Sequence, residues 1–76
     1  MDLQEFTFSI QNQFIDSQII MTPETDFRDN DEFDSLIGMS ILVMIKDYFD
    51  YEMSLSEFLS SNTPRDLYNI IMDQKK

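Results

Sequence analysis

Apolar residues recur along this chain at helical spacing, and no segment alternates at period two for long enough to make a strand. Leu3, Phe6, Ile10 and Phe14 fall at i, i+3, i+7 and i+11, with Gln4, Gln11, Asn12 and Gln13 between them. This spacing predicts a first helix over about residues 2–15, which Asp2 and Glu5 can cap. From Asp16 to Asp34 the pattern dissolves into a long loop, with Ile19, Ile20, Met21 and Phe27 as its anchors. Within it, Thr22-Pro23-Glu24 has the form of a helix start and suits one short turn.

Ser35 to Phe49 reads as the second helix, and it carries two apolar stripes. Gly38, Ile41, Leu42, Ile45 and Phe49 form one; Leu36, Met39 and Val43, at i, i+3 and i+7, form the other. One core face does not require both. Either this helix is central to a bundle, or the second stripe is a docking surface; in so small a domain part of it should be exposed. After Asp50-Tyr51-Glu52-Met53, Ser54 and Glu57 make a capping box that opens a short third helix through Phe58 and Leu59. Thr63-Pro64 then opens a fourth, with Thr63 at the N-cap and Leu67, Ile70 and Ile71 on the buried face. Lys75 and Lys76 suit the negative end of that helix. The expected architecture is all-α: four helices in one domain over residues 1–76, the third short, with a long loop between the first two.

Composition narrows the chemistry. The 76 residues include neither cysteine nor histidine, which removes disulfides, thiolate metal sites and every Ser-His or Cys-His pairing. An enzyme built on carboxylates alone is not expected. Fifteen acidic residues against five basic ones give a net charge of −10, which disfavours nucleic acid and anionic membranes and favours proteins with basic patches. The 42% hydrophobic content, with seven Phe and three Tyr, argues for a packed core rather than disorder. The first residues lack the basic region of a signal peptide, and no apolar run approaches the roughly 20 residues of a membrane span. The default compartment is therefore the cytoplasm.

The loop gathers Asp26, Asp29, Asp31, Glu32 and Asp34. As an EF-hand it fails: from Asp29 the fifth position is Phe33 and the sixth Asp34, and from Asp26 the third is Arg28. No specific metal site is expected, and most of these carboxylates read as a solvated charged face. Ser35 is different. At a helix start its side chain lies beside unpaired backbone N–H groups and the positive end of the dipole, where a phosphodiester would be stabilised. The competing role is a plain helix cap, supplied by Ser35 or by Asp34.

The context favours attachment. From Phe27 to Ile71, without a gap, the chain resembles an acyl carrier protein, the small acidic helical protein whose serine bears 4′-phosphopantetheine. The resemblance covers Phe27-Arg28-Asp29, Asp34-Ser35-Leu36, the helix through Ile41-Leu42-Val43-Met44-Ile45 to Phe49-Asp50, the third helix from Ser54, and Thr63 at the start of the last. It implies a non-catalytic, monomeric carrier, modified at Ser35 by a phosphopantetheinyl transferase that uses coenzyme A. Asp34 and Leu36 flank that site. It also implies that Leu36, Met39 and Val43 meet acyl-loading and acyl-processing enzymes transiently. Ile41, Ile45, Phe49 and Ile71 would line the interior that shelters an acyl chain in some members. Fatty-acid synthesis, or related lipid or polyketide synthesis, is the implied setting. D-alanyl and other aminoacyl carriers share the motif, and an acidic helical interaction module without a prosthetic group is the alternative from another class.

Three features depart from the family pattern. Glu32 stands where a glycine is usual, and Asp31 where an apolar residue is common, leaving Phe33 to anchor the loop. The second helix has no acidic residue until Asp47, after Lys46, whereas that helix in fatty-acid carriers is studded with acids. A dedicated pathway is thus at least as consistent with this chain as housekeeping synthesis.

Overall fold

Each of the four described helices starts on a side-chain cap. In a computed structural model, which describes residues 1–14 and 19–74, the helices are α1 (Leu3–Gln11), α2 (Ser35–Phe49), α3 (Leu55–Leu59) and α4 (Pro64–Gln74). Asp2 and Glu5 form a reciprocal capping box at α1, as do Ser54 and Glu57 at α3. Asp34 caps α2, and the Thr63 hydroxyl accepts the Asp66 N–H at 3.1 Å in the first turn of α4. At its other end α2 stops on Asp50, which is in the left-handed region at φ 53° and donates its N–H to the Lys46 carbonyl. The result is an all-α bundle with a short third helix.

The first helix is shorter than its apolar spacing predicts. α1 ends at Gln11, and Phe14 reaches the core from the turn beyond it, where its N–H meets the Gln11 carbonyl at 3.0 Å. The predicted end of that helix at residue 15, the start of the loop at Asp16, and Lys75 and Lys76 lie outside the described residues.

The loop leading to α2 contains one turn of 3-10 helix, Phe27–Asp29, capped by Asp26. A turn at Thr22–Thr25 precedes it, as the Thr-Pro-Glu signal suggests. The loop is held by backbone bonds to the chain around α3 and α4: Phe27 N–H to Asn62 O, and Arg65 N–H to Pro23 O. The Met21 N–H meets the Gln11 side chain at 2.8 Å. Met21 and Phe27 are buried and Ile19 is partly so, but Ile20 is 85% exposed and anchors nothing.

The core is mostly aliphatic and aromatic, with Thr7 and Ser61 as its buried polar residues. Phe6, Ile10, Phe27, Ile41, Ile45, Leu67 and Ile71 are fully buried, each contributing about 1.5–3 kcal/mol on folding. α1 packs along α4, with Phe6 against Phe49 edge-to-face and Tyr68 tilted beside it. Phe33, partly buried, stacks against Phe58 and lies tilted against Phe14 and Phe27, taking the anchoring role expected of it. Among the described residues no buried side-chain polar atom lacks a hydrogen-bond partner, and no helix is long and apolar enough to cross a membrane.

Candidate functional site

Asp34 is extended (φ −148°), and its Oδ1 accepts the Ile37 N–H at 3.0 Å. That bond makes Asp34 the N-cap of α2 and leaves Ser35 as the first helical residue. The Ser35 hydroxyl is therefore not needed as a cap. Ser35 is exposed, in the turn where a helix has no internal partners for its N–H groups and where its dipole is positive.

Ser35 lies in the wall of a cleft of about 360 Å³ between α2 and α3. Phe33, Gly38 and Phe58 form its inner part; Met39, Leu42, Leu55 and Leu59 also line it, with Arg28 and Asp34 as its charged groups. On the other flank of α2 a second, more open groove of about 510 Å³ runs from Gln13 past Met44 to Asp47 and Tyr48. The stripe of Leu36, Met39 and Val43, which are 74%, 62% and 57% exposed, lines this second groove, and Met39 lines the cleft as well. The second stripe is on the surface, while Ile37, Gly38, Ile41, Met44, Ile45 and Phe49 form the buried face of the helix.

Over residues 5–71, from the first turn of α1 to the last turns of α4, the chain matches the family described as "Phosphopantetheine attachment site". The chain belongs to this family. No curated protein and no solved structure matches it. Family membership agrees with the helix order and the short third helix, and the matched span contains Asp34, Ser35 and Leu36.

In this family member the charged groups surround the apolar stripe rather than interrupt it. Asp29, Asp31 and Asp34, all exposed, precede α2. At its far end Lys46 pairs with Asp50 at 2.9 Å and with Glu52 at 3.7 Å, and the Asp50 carboxylate holds the lysine pKa above its ordinary value. The helix thus offers a partner little free positive charge. The acidic loop residues are partly structural: Asp26 caps the 3-10 turn and Asp34 caps α2, and no cluster of three metal-ligating side chains exists among the described residues.

Ile41, Ile45 and Ile71 are fully buried and Phe49 nearly so, but none of the four lines the cleft that holds Ser35. Its apolar side chains are instead Met39, Leu42, Leu55, Leu59 and the rings of Phe33 and Phe58, of which sequence pattern singled out neither Leu55 nor an exposed place for Leu59. Their i, i+4 spacing on α3 was the available signal. Arg28 was also missed. Its guanidinium lies 4.7 Å from the Phe58 ring centroid and about as close to Phe27 and Phe33, at 5.5 and 5.4 Å. It donates to the carbonyls of Ser61, at 2.6 Å, and Phe58. Arg28 directly follows Phe27 in sequence, but its contacts with Phe58 and Ser61 have no local signal.

Proposed function

We propose that this chain is a non-catalytic carrier that holds acyl intermediates as a thioester on a 4′-phosphopantetheine arm at Ser35. The observation that carries the reading is the division of labour at the start of α2: Asp34 caps the helix, so Ser35 is exposed and its hydroxyl is available. The residues present fit the group. The first turn of α2 favours a phosphodiester, Arg28 adds a cation to the same cleft, and the apolar lining suits the arm. On attachment the Ser35 hydroxyl gives up its proton and forms a bond to the β-phosphorus of coenzyme A, and adenosine 3′,5′-bisphosphate leaves. The bound group supplies the thiol that carries the cargo; the protein supplies recognition.

Leu36, Met39 and Val43 serve as the contact surface for the phosphopantetheinyl transferase and for the acyl-loading and acyl-processing enzymes. A small apolar stripe flanked by acid suits contacts that must form and release at each step. Fatty-acid, related lipid or polyketide synthesis is the proposed setting, with D-alanyl or another aminoacyl cargo as the alternative within the same chemistry.

Incubation of the unmodified protein with coenzyme A and a broad-range phosphopantetheinyl transferase tests the reading. Intact mass should rise by one arm, and Ser35→Ala should remain unmodified. No increment on the natural sequence, or an increment on Ser35→Ala, overturns the assignment. Loading of the modified protein by fatty acyl, malonyl and aminoacyl enzymes then identifies the cargo. An interaction module without a prosthetic group would instead form a stable complex that survives Ser35→Ala.

A further inference from the structure

Five positive side chains stand against fifteen negative ones in this chain, and the three among the described residues are used differently. Lys46 is paired with the carboxylates of Asp50 and Glu52, and Arg65 with that of Glu24. Arg28 instead bonds two uncharged carbonyls: its Nε–H donates to Ser61 at 2.6 Å, and one Nη2–H donates to Phe58. Those two donors share one edge of the guanidinium fork. The other edge, formed by Nη1 and the second Nη2–H, has no hydrogen bond among the described residues. The rings of Phe27, Phe33 and Phe58, at 5.5, 5.4 and 4.7 Å, pack against the guanidinium and restrict its turning. Arg28 lines the same cleft as Ser35, and the other charged group of that lining is Asp34, whose Oδ1 accepts the Ile37 N–H.

We infer that Arg28 binds the root of the arm: the unspent edge of its guanidinium holds the phosphodiester that joins 4′-phosphopantetheine to Ser35. The inference rests on the carrier reading of Ser35. A phosphodiester has two unesterified oxygens that share one negative charge, and the planar fork of a guanidinium meets such a pair with two parallel N–H bonds. Attachment adds that charge beside Asp34 in a chain of net charge −10, and a cation in the same cleft offsets the repulsion. The rings keep water from part of the guanidinium, so its field is screened less than that of an exposed lysine. The bonds to Phe58 and Ser61 stay in place, because they use the other edge. One cation thus serves the loop and the arm together. A partner that docks on Leu36, Met39 and Val43 then need not bring the countercharge for the phosphate itself.

The test compares the protein before and after conversion by coenzyme A and a phosphopantetheinyl transferase, with intact mass reporting the arm. Absence of the arm overturns the carrier reading and the role of Arg28 together; the later steps test Arg28 alone. In ¹⁵N NMR of the natural protein, conversion should shift the Arg28 guanidinium signals and slow the exchange of its Nη protons with water. The Arg65 guanidinium, already paired with Glu24, should stay unchanged and serves as the control. Arg28 signals that do not move on full conversion overturn the inference. Melting temperatures of both forms are then measured for the natural protein and for Arg28→Gln, which removes the charge and the fork. The change in Tm on conversion should be lower in Arg28→Gln by about 4 °C or more, the shift expected for one charge-assisted hydrogen bond in a domain of this size. A purely structural arginine would lower both forms alike, so equal changes on conversion in the two proteins overturn the inference. Should Arg28→Gln not fold, the guanidinium signals of the natural protein decide alone.

Discussion

The guanidinium of Arg28 lies 4.7 Å from the centroid of the Phe58 ring while it bonds the Phe58 carbonyl, so one side chain holds both the ring and the backbone of the same residue. This joins the loop before α2 to the end of α3, where the Phe58 carbonyl also accepts the Ser61 N–H at 3.1 Å. Removal of the side chain should matter accordingly. Arg28→Ala is expected to lower stability by about 2 kcal/mol, because it removes the cation–π attraction and two charge-assisted hydrogen bonds. Arg28→Lys keeps the charge but not the planar fork, and should recover less than half. Urea unfolding checks both, and a lysine variant as stable as the natural protein would show that the fork is unimportant.

The start of α2 separates capping from attachment, and stability measurements can see the separation. Asp34→Ala removes the bond to the Ile37 N–H and should cost about 1 kcal/mol. Ser35→Ala removes an exposed hydroxyl with no capping role and should change stability by less than about 0.5 kcal/mol. Equal losses for the two would return Ser35 to the role of a structural cap.

Met39→Asp and Val43→Asp place a charge on the exposed stripe without touching the core. Stability should stay within about 0.5 kcal/mol of the natural protein. Transferase kcat/KM should fall at least about tenfold, which corresponds to about 1.4 kcal/mol of weakened docking. A transferase rate indifferent to both changes would show that the stripe is not the docking surface.

Local signals proved far more legible in the sequence than long-range ones. The capping pairs Asp2–Glu5 and Ser54–Glu57, the Thr63-Pro64 start and the full extent of α2 are all decided within a few residues, so pattern and chemistry agree. The exposed second stripe was also legible, because Leu36, Met39 and Val43 exceed what one buried face needs. The end of α1 was not: Phe14 keeps the helical spacing but reaches the core from a turn. Ile37 and Met44 lie in the core of α2 beside the predicted stripe because neighbours bury a broader arc than the spacing marks. Arg28 shows the limit most clearly. Its partners Phe58 and Ser61 are 30 and 33 residues away, and nothing local announces that the loop returns to the end of α3.

The Tyr51 hydroxyl donates to the Glu57 carboxylate at 2.7–2.8 Å, which ties the linker before α3 to its capping box and gives that contact a pH signature. The Glu57 pKa is held below its ordinary value, first by the backbone N–H of Ser54 and then by the Tyr51 hydroxyl, and the Tyr51 pKa is raised by its bond to Glu57. A carboxylate with a depressed folded pKa stabilises the fold fully above its unfolded pKa, and that contribution is lost as pH falls through the folded value. A tyrosine with a raised folded pKa contributes fully below its unfolded pKa, and loses the contribution as pH rises through the folded value. The stability gap between the natural protein and Tyr51→Phe should therefore be widest between about pH 5 and pH 9, and should narrow on both sides. Carboxyl NMR titration provides the independent check. In Tyr51→Phe the Glu57 pKa should rise but stay below the ordinary carboxylate value, because the larger cause, the Ser54 N–H, is still present. A gap that does not change with pH, or a Glu57 pKa that does not move, would show that the hydroxyl bond contributes nothing to the capping of α3.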